Sequence, residues 1–172
     1  MEWRRVLVPG GHLLVFIDWR MEAALSGAIE SADLRHIGLL VWDKTFFGMG
    51  SCFRNQHELI LHFTKGKGLS PQRKDTGNVL HYKPVRGGEH PTEKPVDLLE
   101  RLISVVCKEG GIVLDSFAGS GTTAVAAARL NRDAILIELN PRYCEMARRR
   151  IKRAYGMFVD IRCPDLCTTE SR

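Results

Sequence analysis

Apolar residues along the chain fall into short runs separated by turn-forming residues. "HLLVFI" (12–17), "IGLLVW" (37–42) and "ELILHF" (58–63) are bounded by turns and predict buried strands. Met21 to Arg35 carries Ala, Leu, Glu and Ile at helical spacing and predicts an amphipathic helix after the first run. A long stretch rich in Gly, Pro and basic residues then interrupts the pattern. Beyond it, Pro95 fits a first helical turn, and Val96, Leu99, Leu102, Ile103 and Val106 form an apolar stripe that stops before Gly110–Gly111. A strand at 112–115, a glycine turn, a helix over 121–130, the strand "AILIEL" (134–139) and a helix from Asn140–Pro141 follow. This alternation of strand and helix from residue 95 onward predicts an α/β fold, a largely parallel sheet with helices on its faces.

At 172 residues and 44% hydrophobic, the chain is long enough for one core. We expect a single domain over 1–160 and a tail, 161–172, that says little. No run of about 18 apolar residues exists, and "MEWRRVLVPGG" lacks the apolar centre of a signal peptide. A soluble, cytoplasmic protein with no membrane partner is expected. Five cysteines at 52, 107, 144, 163 and 167 do not form a disulfide framework, so reduced thiols are expected. Cys163 and Cys167 have no second Cys/His pair nearby, so no metal is expected.

Charge is uneven within a net +5. From Lys65 to His90 the chain holds six Lys or Arg against two acids, which predicts a basic surface loop over 65–89. A second cluster, Arg148, Arg149, Arg150, Lys152 and Arg153, lies on the last helix. It fits a solvated helix face as well as it fits a phosphate contact.

The stretch "LDSFAGSGTT" (114–123) carries the most chemistry. Gly119, Gly121 and Ala124 fit the glycine fingerprint of dinucleotide sites. A phosphate-binding P-loop needs a lysine after its last glycine, and none follows Gly121. Asp115 puts a carboxylate where a pyrophosphate would sit, and opposed charges in a partly dry cleft are costly. A cofactor with positive charge fits better. S-adenosylmethionine carries an ammonium and a sulfonium, and Glu138, ending the next strand, is suited to accept from ribose hydroxyls.

Here the sequence resembles a known family. "DSFAGSGTTAVAAARLNRDAILIELNPRYCEMARRRI" is similar to the cofactor-binding half of bacterial and phage DNA amino-methyltransferases of the beta arrangement. "HPTEKPVDLLERLI" resembles the segment before the glycine turn in that permuted order, and "EWRRVLVPGGHLLVF" and "RNQHELILHFTKG" resemble the family's middle strands. The resemblance implies a Rossmann-like class I methyltransferase fold, with residues 90–160 as the cofactor half. It implies S-adenosylmethionine held by Asp115, Phe117, Gly119, Ser120, Gly121 and Thr122, with Glu138 on the ribose and His90, Thr92 and Lys94 near the amino-acid end. The loop 65–89 falls in the target-recognition position, which makes double-stranded DNA the partner and Lys65, Lys67, Arg73 and Lys74 its phosphate contacts. The implied reaction is methyl transfer to adenine N6 or cytosine N4, as in restriction-modification systems, on a base flipped from the duplex.

The family's base-holding tetrapeptide, D-P-P-Y, N-P-P-Y or S-P-P-Y, does not occur in the chain. In the family's order it would precede Met1, together with a strand central to the sheet, so no catalytic residue is assigned. Asn140-Pro141-Arg142-Tyr143 resembles it, but helix capping accounts for Asn and Pro there. The expectation is a truncated enzyme, from a late start site or a broken gene, weakly active or inactive alone; completion by a separate polypeptide or a homodimer is the alternative. A non-catalytic DNA- or partner-binding remnant is the competing reading. A methyltransferase for another substrate is disfavoured by the "HPTEKP" segment.

Overall fold

The apolar run at 58–63 forms the centre of the first sheet, because residues on both of its faces are covered. In the computed structural model, which describes residues 2–50, 52–87, 93–156 and 160–162, contacts group the chain into two units, Met1–Pro84 and Val85–Arg172. In the first unit, α1 (Glu2–Val6), β1 (His12–Ile17), α2 (Glu22–Glu30), β2 (Arg35–Asp43), β3 (His57–Thr64) and β4 (Val79–His81) follow in order. The sheet order is β1-β3-β2-β4. β3 runs antiparallel to both neighbours and β4 parallel to β2, so three of the four strands point one way and β3 alone is reversed.

One face of β3 presents Leu61 and Phe63, which register with Val15 and Leu13 of β1. With Ile29 and Leu34 they make a core against which Trp3, Leu7 and Leu25 pack. The other face carries Ile60 beside Phe16 and Leu40 in register. There Phe16 meets the buried Trp42 edge-on, with ring centroids 6.3 Å apart. Trp42 also donates from Nε1 to the carbonyl of Tyr82 at 2.8 Å. That bond, with the Asn78 amide on the Leu39 carbonyl, pins the end of the basic loop to the sheet.

Two boundaries differ from the sequence pattern. The helix expected to reach Arg35 ends at Glu30. Asp33 takes a left-handed φ of 59° and accepts from Arg4 at 2.5 Å, so the chain turns before the buried Leu34. The basic loop also contains β4, which three residues of ordinary polarity did not announce.

The second unit holds α3 (Val96–Val106), β5 (Ile112–Asp115), α4 (Thr122–Arg129), β6 (Asp133–Leu136) and α5 (Pro141–Tyr155). β5 and β6 pair in parallel, residue for residue from Ile112↔Asp133 to Asp115↔Leu136. Ala124, Val125 and Ile151 form a core here with Val96, Ala134, Leu136 and Tyr155 around it. The parallel pair and its flanking helices match the βαβα reading.

His12 and His62 sit across β1 and β3 with Nδ1 and Nε2 2.9 Å apart. Burial, reinforced by the neighbouring His12 and His36, pushes His62 down from 6.5 to about 4, and burial lowers His12 as well. In the unfolded chain these rings titrate near their ordinary 6.5. Between those values the unfolded state binds the protons and the folded state does not, so stability is full above pH 6.5 and falls toward pH 4. Urea unfolding midpoints should therefore drop steadily between those pH values, and His62→Gln should flatten the slope. A wild-type midpoint independent of pH in that window would contradict the assignment.

Candidate functional site

The residues singled out from Asp115 to Thr122 lie in one connected turn between β5 and α4. Asp115 ends the strand, and its two carboxylate oxygens work in opposite directions. Oδ1 accepts from the Phe117 N–H at 3.0 Å, and Oδ2 accepts from the Thr123 hydroxyl at 2.5 Å. The carboxylate thus closes the turn on itself and grips the first turn of α4. This role matters because Gly121, the residue before α4, supplies no side-chain cap.

The next strand laces the turn from the other side. The Ile137 N–H donates to the Asp115 carbonyl at 2.8 Å, and the Ala118 N–H donates to the Ile137 carbonyl at 3.1 Å. Glu138, one residue on, accepts from the Gly119 N–H through Oε2 and from the Asn140 N–H through Oε1, both at 2.8 Å. The strand expected over 134–139 therefore leaves the ladder after Leu136 because its backbone and Glu138 turn to the glycine loop instead. Asn140 caps α5, its side chain accepting from the Arg142 N–H at 3.0 Å with Pro141 in the first turn. That is the capping role read from the sequence.

Gly119 and Gly121 have φ of 50° and 77°. At Gly121 a Cβ would stand 2.8 Å from the Cβ and 3.1 Å from the Cα of Ala147 on α5, so glycine is needed for both conformation and close approach. Ser120, Gly121 and Thr122 are buried, whereas Phe117 is 79% exposed and cannot be core. An exposed aromatic on a turn held by two carboxylates is a surface on which a planar ring can lie.

Behind the turn lies a contact that sequence reasoning missed. Arg150 of α5 donates from Nη1 to the Ser120 and Thr122 hydroxyls at 2.8 and 2.9 Å. Its Nη2 pairs with Glu93 at 2.7 Å. Arg149, Arg150 and Arg153, with Glu93, Ser120 and Met146, line a cavity of about 240 Å³. Arg150 was visible only as one member of a basic run. Nothing in the sequence tied it to Glu93.

The remaining candidates divide. Lys94 is half-buried just before α3. His90 and Thr92 lie outside the described residues, as do Cys163 and Cys167. In the first unit, the Lys65 ammonium, just after β3, donates to the carbonyl of Leu7, just after α1, at 2.7 Å. Arg73 pairs with Asp75 at 2.5 Å on the surface, and Lys67 and Lys74 are exposed. Cys52, Cys107 and Cys144 form no disulfide among the described residues. Among the described residues no group of three His, Cys, Asp or Glu side chains is placed to hold a metal, and no helix is long and apolar enough to cross a membrane.

A parallel strand pair, a glycine turn opening a helix, and an acid after the second strand define the ligand-binding half of a Rossmann-like, class I methyltransferase fold. The family model described as DNA methylase matches residues 1–149, and the chain belongs to that family. It is 42% identical to the type II methyltransferase M2.DpnII of Streptococcus pneumoniae, covering 87% of this chain and 63% of that protein. It is 38% identical to the type II methyltransferase M.HpaI of Haemophilus parainfluenzae, covering 95% of this chain and 62% of that protein. The crystal structure of the M1.HpyAVI–SAM complex superposes with a TM-score of 0.77 at 25% identity, covering 87% of this chain and 81% of that one. The chain spans 62% to 66% of the length of the curated relatives it matches.

The Gly121 contact yields a direct test. Gly121→Ala should cost on the order of 2 kcal/mol, from positive φ and the clash with Ala147 together. Gly110 has φ of 69° with nothing near its Cβ position, so Gly110→Ala should cost about half as much or less. Equal losses in urea midpoint for the two variants would show that the turn does not press on α5.

Proposed function

We propose that the turn from Asp115 to Thr122 binds S-adenosylmethionine, and that the chain supplies the cofactor-binding part of a DNA amino-methyltransferase acting on adenine N6 or cytosine N4. The observation that carries this reading is the Glu138 carboxylate drawn onto the Gly119 amide, within the same loop that Asp115 closes. Two acids at the mouth of a glycine turn, with no lysine from Ser116 to Ala124, disfavour phosphate and suit a cationic ligand. Glu138 would accept from the ribose hydroxyls, Phe117 would lie against the adenine, and Lys94, with His90 and Thr92, would face the cofactor's carboxylate end. The cofactor supplies an electrophilic methyl group, and these residues hold and orient it. Both units are assigned to one methyltransferase domain over 1–160.

DNA is the proposed macromolecular partner. Lys67, Arg73 and Lys74 would meet phosphates, while Lys65 acts from beneath the loop by holding Leu7. A second observation favours completion by a further polypeptide. Ile112, Leu114, Ile135 and Ile137 alternate with covered residues and are 64%, 38%, 52% and 54% exposed, an apolar face on a parallel pair. Parallel strands normally have both faces covered. We assign this face to a polypeptide equivalent to the length of the relatives that the chain does not span, with a second copy of the chain as the alternative occupant.

Titration calorimetry with S-adenosylmethionine should give saturable one-to-one binding, weakened on the order of tenfold by Glu138→Gln. No heat at millimolar cofactor would refute the cofactor reading. Binding to duplex DNA should weaken steeply with salt, and replacing Lys67, Arg73 and Lys74 by Ala should flatten that dependence. No binding to duplex DNA at low salt would point to a protein partner instead. Light scattering should detect concentration-dependent self-association, or assembly with a supplied polypeptide from the relatives' additional length, and Ile135→Lys should abolish it. A monomer that takes up neither would remove the completion reading.

A further inference from the structure

The basic run on α5 has one member that is not a solvated charge. Arg150 reaches three groups from two different segments, and all three are sheltered. Glu93 is 10% and Arg150 26% exposed at the side chain, and Ser120 and Thr122 are 4% and 5% exposed. The two N–H bonds of one guanidinium nitrogen serve the two hydroxyls, and the other nitrogen serves the carboxylate. The planar fork spreads these bonds over two nitrogens, which a lysine's single ammonium nitrogen does not have.

The connections fall where α4 is least secured. The helix has no side-chain cap at Gly121, and Asp115 holds it through Thr123. Arg150 takes the adjacent Thr122 and the preceding Ser120 from the opposite side. Through Glu93 it also holds the residue next to Lys94, just before α3. The turn and the segment bearing Lys94 thus share one anchor.

We infer that Arg150 is a positioning residue that sets the glycine turn and the Glu93–Lys94 segment in a common geometry for the ligand, touching neither ligand nor reacting atoms itself. The inference rests on the proposed cofactor reading for its functional consequence, but the geometric part stands alone. Charge-assisted bonds of this kind are short and directional, so their loss loosens the groups they aim rather than removing a contact to ligand. Arg149 and Arg153, which line the same cavity, have no such bonds to the turn and serve as internal controls.

Two measurements test it. Amide hydrogen exchange on the ligand-free chain should show Ser120, Gly121 and Thr122 losing protection at least about tenfold in Arg150→Met and in Arg150→Lys, with the β1–β3 ladder unchanged. Calorimetry should then show S-adenosylmethionine affinity falling on the order of tenfold in Arg150→Lys, less in Glu93→Gln, and not at all in Arg149→Ala. Lysine keeps a charge for Glu93 but has one nitrogen where Arg150 uses two, so it separates aiming from charge. If Arg150→Met does not fold, Arg150→Lys decides the matter. Unchanged protection at the turn overturns the inference, as does equal loss across all of α4 and α5, the mark of a merely structural bond. If the wild-type chain binds no cofactor, the cofactor reading fails and the exchange data still judge the anchor.

Discussion

In the second unit, the hydrogen bond from the Gly119 N–H to Glu138 ties the glycine turn to the segment that opens α5. It joins the turn after β5 to the end of β6, so the two strand ends cannot separate while it holds. The same carboxylate takes the Asn140 N–H, which sets where α5 begins. An ionised carboxylate offers about four lone-pair directions. Two of them meet the backbone N–H groups of Gly119 and Asn140, which fixes the acid in place. A group oriented by its own fold before any ligand arrives spends little entropy on binding one.

The paired threonines that open α4 follow from the same logic. A helix whose preceding residue is glycine in a left-handed conformation has no side chain with which to cap itself. Thr122 and Thr123 point to opposite supports, Arg150 on one side and Asp115 on the other. Gly121 can then pass close under Ala147, which a capping side chain at that position would forbid. The absence of a cap is therefore a condition of the turn's close packing, and the lateral bonds replace what it loses.

Much of this was legible in the sequence, because it depends on local rules. The strands at 12–17 and 112–115 and the helix from Pro141 follow from apolar runs, turn residues and an Asn-Pro cap. Asp115 and Glu138 stood out as acids flanking glycines. What escaped depends on distance along the chain. Glu93 and Arg150 are 57 positions apart in the sequence and meet only through the packing of α5. Lys65 looked like its neighbours Lys67 and Lys74, yet its ammonium found the Leu7 carbonyl, a partner no basic run can disclose. β4 is three residues held by β2 rather than by its own pattern.

The strands of the second unit also say more in sequence than their surroundings use. Ile112-Val113-Leu114 and Ala134-Ile135-Leu136-Ile137 are apolar on both faces, the composition of strands covered on both sides. One side is covered by α4 and its core, and the other exposes four large aliphatic side chains. Covering what remains bare on those four is worth on the order of 5 kcal/mol. That is comparable with the low end of the roughly 4–15 kcal/mol lost when two separate molecules associate. The apolar face alone therefore binds a free partner weakly. Tight cover requires added strand pairing at the edge of β5 or β6, or a cover carried on the same polypeptide, where the association cost is largely avoided.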